Sequence, residues 1–363
     1  MKVPFFDLKR QYEQLKPEIW QAMNRVMDQT AFSGGPFVSQ LETELAAFNE
    51  TGFAVGVNNG TNAIQLALLA LGIGPGDEVI VPANTFIATA WGVSYVGATP
   101  VFADCDPMTW NLDPVDAERK ISPKTKAIIG VHLYGQPFNI DALSRLCNEK
   151  GIHLMEDNAQ AMGATYKGRK VGQFGVLSTT SFYPGKNLGA YGEGGAVFGH
   201  DPALGETIQM LKNHGSRERY YHEALGFNMR MEGLQAAVLS VKLPHLPAWN
   251  QRRQFIAKAY RQLNHPRLQF QAPETHAESV YHLAVVIPDD KQAFLTHLEN
   301  EGVGYAFHYP VPCHLQKAYA HLGYQKGDFP HAEHLAENCV SLPMFPEMSD
   351  AELERVLEIL KNF

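Results

Sequence analysis

Phe53-Ala54-Val55-Gly56-Val57, then Thr61 to Leu71, then Glu78-Val79-Ile80-Val81 is the stretch on which the fold turns. A short apolar run, a longer apolar segment without proline, and a second short apolar run describe a strand, a helix and a strand. The rhythm continues outward. Phe86–Val96 is expected to be helical, and Thr99–Ala103, Ala127–Val131 and Ile152–Glu156 to be strands, with helices near Val115–Ile121 and Ile140–Glu149 between them. Such alternation predicts an α/β fold whose mostly parallel sheet is covered by helices on both faces. Ligands of these sheets sit beyond the carboxyl ends of the strands. The chemistry is therefore sought in the residues that follow each apolar run.

Toward the N-terminus, the spacing of Leu8, Tyr12, Leu15, Ile19, Met23 and Met27 predicts a helix over 8–29. Ser33-Gly34-Gly35-Pro36 breaks it, and Phe37–Phe48 predicts a second helix. Toward the C-terminus, Leu204–Asn213, Glu232–Leu246 and Ala248–Asn264 have helical character. Then come a strand (Val280–Ile287), a helix (Lys291–Gly302), a strand (Tyr305–Tyr309) and a helix (Asp350–Leu360). The expected organisation is a large α/β domain over 1–245 and a smaller α+β domain over 246–363, with a long helix across the boundary.

The chain has 363 residues, 45% hydrophobic and 19% charged, an ordinary globular balance. Its formal net charge of -8 argues against non-specific attraction to nucleic-acid phosphates. Cys105, Cys147, Cys313 and Cys339 show no CxxC spacing, so reduced thiols are expected rather than a zinc or redox motif. No apolar run reaches the roughly 18 residues of a membrane helix. Charges interrupt the N-terminus too early for a signal-peptide core. The expected location is the cytoplasm.

Ser181-Phe182-Tyr183-Pro184-Gly185-Lys186-Asn187-Leu188-Gly189 places one lysine in a turn of glycine and proline. A lysine amine used chemically is most often used for a Schiff base. Upstream, Leu154-Met155-Glu156-Asp157 is an apolar run that ends in acids. A strand-end aspartate and a later loop lysine suit pyridoxal phosphate, the lysine holding the aldehyde and Asp157 the ring nitrogen. Gly60 and Thr61 stand at a strand-to-helix turn, with Thr61 in an N-cap-like position. There free N–H groups could bind a phosphate, or could simply begin a helix. Phe86 stands at the equivalent turn one unit later, placed to stack on a flat ring or to pack in the core. Ser181 could donate to the phosphate, and Gln160 could reach the ring's phenolic side or cap a turn. A metal site from His308, Cys313 and His314 lacks a complete ligand set.

With these residues in view, the chain resembles the DegT/DnrJ/EryC1/StrS family of nucleotide-sugar aminotransferases. The resemblance runs from Pro4-Phe5-Phe6-Asp7-Leu8 to Ser341-Leu342-Pro343-Met344-Phe345-Pro346. It includes Glu156-Asp157-Asn158-Ala159-Gln160-Ala161, Asn213-His214-Gly215-Ser216-Arg217, Asn228-Met229-Arg230-Met231 and His308-Tyr309-Pro310. It implies a fold-type-I pyridoxal phosphate enzyme that works as a homodimer with a shared active site. Lys186 is then the cofactor-bound lysine and proton shuttle, and Asp157 the pyridinium partner. Phe86 is the stacking aromatic, Gly60, Thr61 and Ser181 are phosphate ligands, and Gln160 is a cofactor contact. Asn228 would reach the phosphate of the neighbouring subunit. Tyr183, Arg217, His308 and Tyr309 are the implied substrate contacts, with Arg217 equally readable as a structural ion pair.

The lysine stretch resembles members that transfer an amino group from L-glutamate to C3 of a dTDP-3-keto-6-deoxyhexose. Members acting at C4 tend to carry His and Thr where this chain has Tyr183 and Gly185. A UDP-linked 3-keto sugar is an alternative acceptor. Members that dehydrate the sugar carry histidine in place of the lysine. A cofactor-binding regulator with the same fold, another fold-type-I enzyme and a plain binding module are the competing expectations.

Overall fold

A computed structural model describes all residues, Met1–Phe363. Seven strands form the central sheet: β1 (Phe53–Val57), β2 (Glu78–Pro82), β3 (Thr99–Ala103), β4 (Thr125–Val131), β5 (His153–Asp157), β6 (Leu177–Ser181) and β7 (Gly195–Gly199). Their order across the sheet is β1-β7-β6-β5-β4-β2-β3. Only β7 runs against the others, pairing antiparallel with both β1 and β6. The mostly parallel sheet expected from the apolar rhythm is present.

Both faces are covered, and alternation along the strands explains how. Val79, Val81, Ala127, Ile129 and Met155 join one buried cluster with the helices Gly60–Ala70 and Ala88–Tyr95. Their neighbours Ile80, Ile128 and Leu154 join another, with the helix Ile140–Lys150. Successive side chains point to opposite faces of a sheet, so each strand serves both layers. Full burial of each such side chain stabilises by roughly 1.5–3 kcal/mol. The helices Leu8–Asp28, Pro36–Asn49 and Gly233–Lys242 build a further layer over the β1 and β7 side.

The C-terminal elements close a second core. Strands Leu268–Phe270, Ala284–Pro288 and Val340–Leu342 pair in that order. Helices Lys291–Glu301 and Asp350–Lys361 pack on them through Phe294, Leu298, Val356 and Leu360. Val3 belongs to this core, although it lies at the other end of the chain.

Four expectations differ. The strand expected over Val280–Ile287 is confined to Ala284–Pro288. No helix runs unbroken across residue 245: a 3-10 turn at Leu243–His245 separates Gly233–Lys242 from Leu246–Gln262. Pro244 and Pro247 lack the N–H groups that a continuous helix needs there. Tyr305–Tyr309 is not a strand; only Ala306 bridges to Ser341. Phe86 precedes its helix, which begins at Ala88. No helix is long and apolar enough to cross a membrane, and the four cysteines are buried free thiols.

Candidate active site

Strand ends and the loops after them enclose a cavity of about 900 Å³. Gly60, Thr61, Phe86, Asp157 and Gln160 line it, as do Ser181, Tyr183, Lys186, His308 and Tyr309. Arg217 and Asn228 do not. Arg217 pairs with Glu223 at 2.6 Å, and Asn228 lies exposed in a bridge with Asn213.

One wall is the start of the helix Gly60–Ala70. Its cap is Asn59, whose side chain accepts from the Asn62 N–H at 2.8 Å. Thr61 is therefore inside the first turn, not the cap. The N–H groups of Gly60 and Thr61 have no intrahelical acceptor and carry the positive end of the helix dipole. Gly60 is pressed against Ser181. A Cβ on Gly60 would stand 2.7 Å from the Ser181 Cβ, so glycine is what lets the helix start and the end of β6 meet.

Asp157 closes β5 and is 6% exposed. Its Oδ2 accepts from the Thr89 hydroxyl at 2.9 Å and its Oδ1 from the Ala159 N–H at 3.1 Å, neither of them a cation. A buried carboxylate without a cationic donor is costly and invites one.

Lys186 lies in a tight turn after β6, its own N–H donating to the Tyr183 carbonyl at 2.8 Å. Burial lowers its amine to about 8, and the Asp157 charge pulls the other way. An amine of lowered basicity is more readily available, once deprotonated, for nucleophilic and proton-transfer chemistry.

The wall from the C-terminal elements supplies rings. Tyr309 lies 5.3 Å from Phe86, centroid to centroid, and its hydroxyl accepts from Gln160 Nε2 at 3.1 Å. Gln160 also accepts from the Tyr134 N–H at 2.6 Å, so it buttresses this wall. His308 bonds Ser341 Oγ at 2.8 Å; burial, then the Lys186 charge, lower it to about 4.

Two residues escaped the sequence reading. Thr89 reaches Asp157 from 68 positions away. His282 lines the cavity and bonds Asn187 Oδ1 through Nδ1 at 3.1 Å. The Asn187 amide nitrogen is already donating to Asn250 and to the Val280 carbonyl. Its oxygen must therefore accept, which puts the His282 proton on Nδ1 and leaves Nε2 with a lone pair. Burial, then the Lys186 charge, hold this ring neutral, well below its ordinary range. A helix-period signal marks Thr89 only as core, and nothing local marks His282.

The residues fit pyridoxal phosphate. Open helix N–H groups beside a serine hydroxyl suit its phosphate. A buried carboxylate suits the ring nitrogen, and a buried amine of lowered basicity suits the aldehyde.

The family model described as "DegT/DnrJ/EryC1/StrS aminotransferase family" matches residues 13–361. A "Pleiotropic regulatory protein" of Geobacillus stearothermophilus is 43% identical, with 100% of this chain and 99% of that protein covered. A "dTDP-3-amino-3,4,6-trideoxy-alpha-D-glucose transaminase" of Streptomyces venezuelae is 44% identical, with 100% and 96% covered. A UDP-N-acetyl-3-dehydro-alpha-D-glucosamine 3-aminotransferase of Acidithiobacillus ferrooxidans is 42% identical, with 99% and 97% covered. Among solved structures, NtdA from Bacillus subtilis with bound cofactor PMP matches with a TM-score of 0.93 at 30% identity, covering 99% of this chain and 85% of that one. Matched from end to end in sequence and in fold, this chain belongs to the DegT/DnrJ/EryC1/StrS aminotransferase family.

Proposed function

We propose that this chain transfers the amino group of L-glutamate to C3 of a dTDP-3-keto-6-deoxyhexose, giving the dTDP-3-amino-3,6-dideoxyhexose and 2-oxoglutarate. The coarser statement is plain: it is a pyridoxal-phosphate-dependent sugar-nucleotide aminotransferase. The observation that carries the finer reading is the lysine turn, with Tyr183 and Gly185 at the two positions where members acting at C4 tend to carry His and Thr. Relatives whose names specify a 3-amino or 3-dehydro sugar support C3. They differ in the nucleotide, which makes a UDP-linked 3-keto sugar the second reading.

The bound cofactor supplies an aldehyde that exchanges amines and a ring that accepts electrons. Gly60, Thr61 and Ser181 hold its phosphate, Asp157 its ring nitrogen and Phe86 its ring face. Lys186 Nζ, an amine of lowered basicity, would take the proton that leaves glutamate Cα and later deliver one to C3 of the sugar. Tyr183, His308 and Tyr309 face the space left for the sugar. His308 is neutral over the working pH range, so it orients hydroxyls without adding charge. Asn228 lies outside this cavity, so its role calls for a second copy of the chain, while the ion pair of Arg217 with Glu223 favours its structural reading. The exposed Tyr220, Tyr221 and Leu225 in the loop between them support a homodimer with shared sites.

Product NMR decides the acceptor. Holoenzyme is incubated with glutamate and either dTDP-3-keto- or dTDP-4-keto-6-deoxyhexose. Nitrogen on C3 is expected, and nitrogen on C4 alone would overturn the reading. The regulator reading, which one relative's name favours, predicts no glutamate-dependent loss of the bound cofactor's absorbance.

A further inference from the structure

We propose that Thr89, with Thr85 behind it, is a positioning residue that keeps the Asp157 carboxylate aimed at a protonated ring nitrogen. The inference rests on the reading of Asp157 given above.

The hydrogen bonds run in one direction only. Thr89 is 1% exposed, and its Oγ1 lies 2.9 Å from Asp157 Oδ2. An ionised carboxylate only accepts, so the single hydroxyl proton of Thr89 is committed to it. Thr85 Oγ1 lies 3.0 Å from Thr89 Oγ1 and is also buried. With the Thr89 proton already used, Thr85 must be the donor of that pair. The chain is therefore Thr85 to Thr89 to Asp157, and each bond polarises the next.

The geometry also fixes the carboxylate plane. Thr89 holds Oδ2 and the Ala159 N–H holds Oδ1. The remaining lone pairs are left to the cavity, which Asp157, Thr85 and Thr89 all line. A hydrogen bond to the ionised form favours that form over the neutral acid. Without the hydroxyl, the carboxylate would be free to turn away from the ring nitrogen and would support a cationic ring less well.

The stretch Thr85–Thr89, a turn running into the first residues of the helix Ala88–Tyr95, supplies both hydroxyls and Phe86, so ring stacking and ring-nitrogen pairing are set by one piece of backbone. That piece is pinned from the other side. The Cys313 N–H donates to the Ala83 carbonyl at 2.7 Å, and Cys313 Sγ reaches the Thr85 carbonyl at 3.2 Å. Cys313 follows closely on Tyr309, so the same contacts join this turn to the sugar-facing wall.

The test uses holoenzyme loaded with cofactor labelled with ¹⁵N in the ring. Thr89→Val keeps the shape without the hydroxyl, Thr89→Ala removes it without adding bulk, and Thr89→Ser restores it. In the Val and Ala variants the ring-nitrogen resonance is expected to move toward that of a neutral pyridine. Cofactor affinity should fall about tenfold, the scale of one hydrogen bond to a charged group. Thr89→Ser should return both values. Asp157→Asn is the reference. If it leaves the resonance in place, the reading of Asp157 itself fails. If it moves the resonance while Val and Ala do not, or if Ser fails as they do, the Thr89 inference alone is overturned. A role in packing alone would change melting temperature and leave the resonance unmoved.

Discussion

At Lys186, burial and one carboxylate act in opposite senses. Burial disfavours the ammonium and brings the amine to about 8, while Asp157 favours the charged form and limits the fall. Capture of pyridoxal phosphate by cofactor-free protein should therefore quicken as pH rises through about 8, followed by absorbance in a stopped-flow experiment. Removing the charge with Asp157→Asn should move that midpoint downward. A midpoint near that of a solvated lysine, about 10.4, would show that the amine is not desolvated. Lys186→Ala should lower turnover by more than ~10³-fold, the scale of a lost acid–base group; product assays showing near-native rates would exclude the role. As cavity residues, Asp157 was legible because it ends an apolar run and Lys186 because it stands in a turn of glycine and proline. Thr89 and His282 were not, because their partners lie 68 and 95 positions away. Only the closed fold brings those pairs together.

At the scale of elements, two glycines carry the junctions around the cavity. A Cβ on Gly60 would meet the Ser181 Cβ at 2.7 Å, and one on Gly189 would meet the Pro184 carbonyl oxygen at 2.3 Å. Gly60→Ala should part the helix start from the end of β6 by a few tenths of an ångström. Overpacking of this kind costs about 1–3 kcal/mol, here taken mainly from the phosphate cradle. We expect cofactor affinity to fall at least fivefold, by equilibrium dialysis, with the circular dichroism spectrum unchanged. Native affinity in Gly60→Ala would mean that this junction does not hold the phosphate. Most elements were legible within one or two residues, since apolar period separates strands from helices in each β-α-β unit. β6 and β7 were not: β6 is Leu177-Ser178-Thr179-Thr180-Ser181, hydroxyl residues in all but one position, and in β7 Gly195 and Gly199 bound a run of only three other residues. Tyr305–Tyr309 has strand-like composition, yet the chain spends that segment presenting His308 and Tyr309 to the cavity rather than pairing.

For the whole molecule, the two ends of the chain must meet, and no local pattern announces it. Composition and rhythm foretell a large and a small unit, but the first residues pack with the last ones. The Val3 N–H donates to the Gly302 carbonyl at 3.0 Å, and Phe5 lies 5.8 Å from the His308 ring at the cavity wall. Arg10 completes the join with a two-pronged contact to Glu352, 2.7 Å for each pair of atoms. Glu352 is also the third helical residue of a capping box with Ser349, so one carboxylate starts the last helix and anchors the first. Its bond to Arg10, followed by those to Ser349, lowers it to about 2 against burial. The sign follows from linkage. A depressed carboxylate adds stability above its unfolded value, near 4.3, and that stability drains away as pH falls toward about 2. Arg10 is partly exposed, which screens the pair, so we expect about 1–2 kcal/mol at neutral pH, the low end for a charged hydrogen bond. Glu352→Gln should lower the urea midpoint at pH 7, with the gap to the parent narrowing below about pH 4 and closing only as pH falls through about 2. A gap that persists unchanged at the acid end would assign the effect to lost packing, and the charge between the chain's two ends would have no part in holding the cavity wall in place.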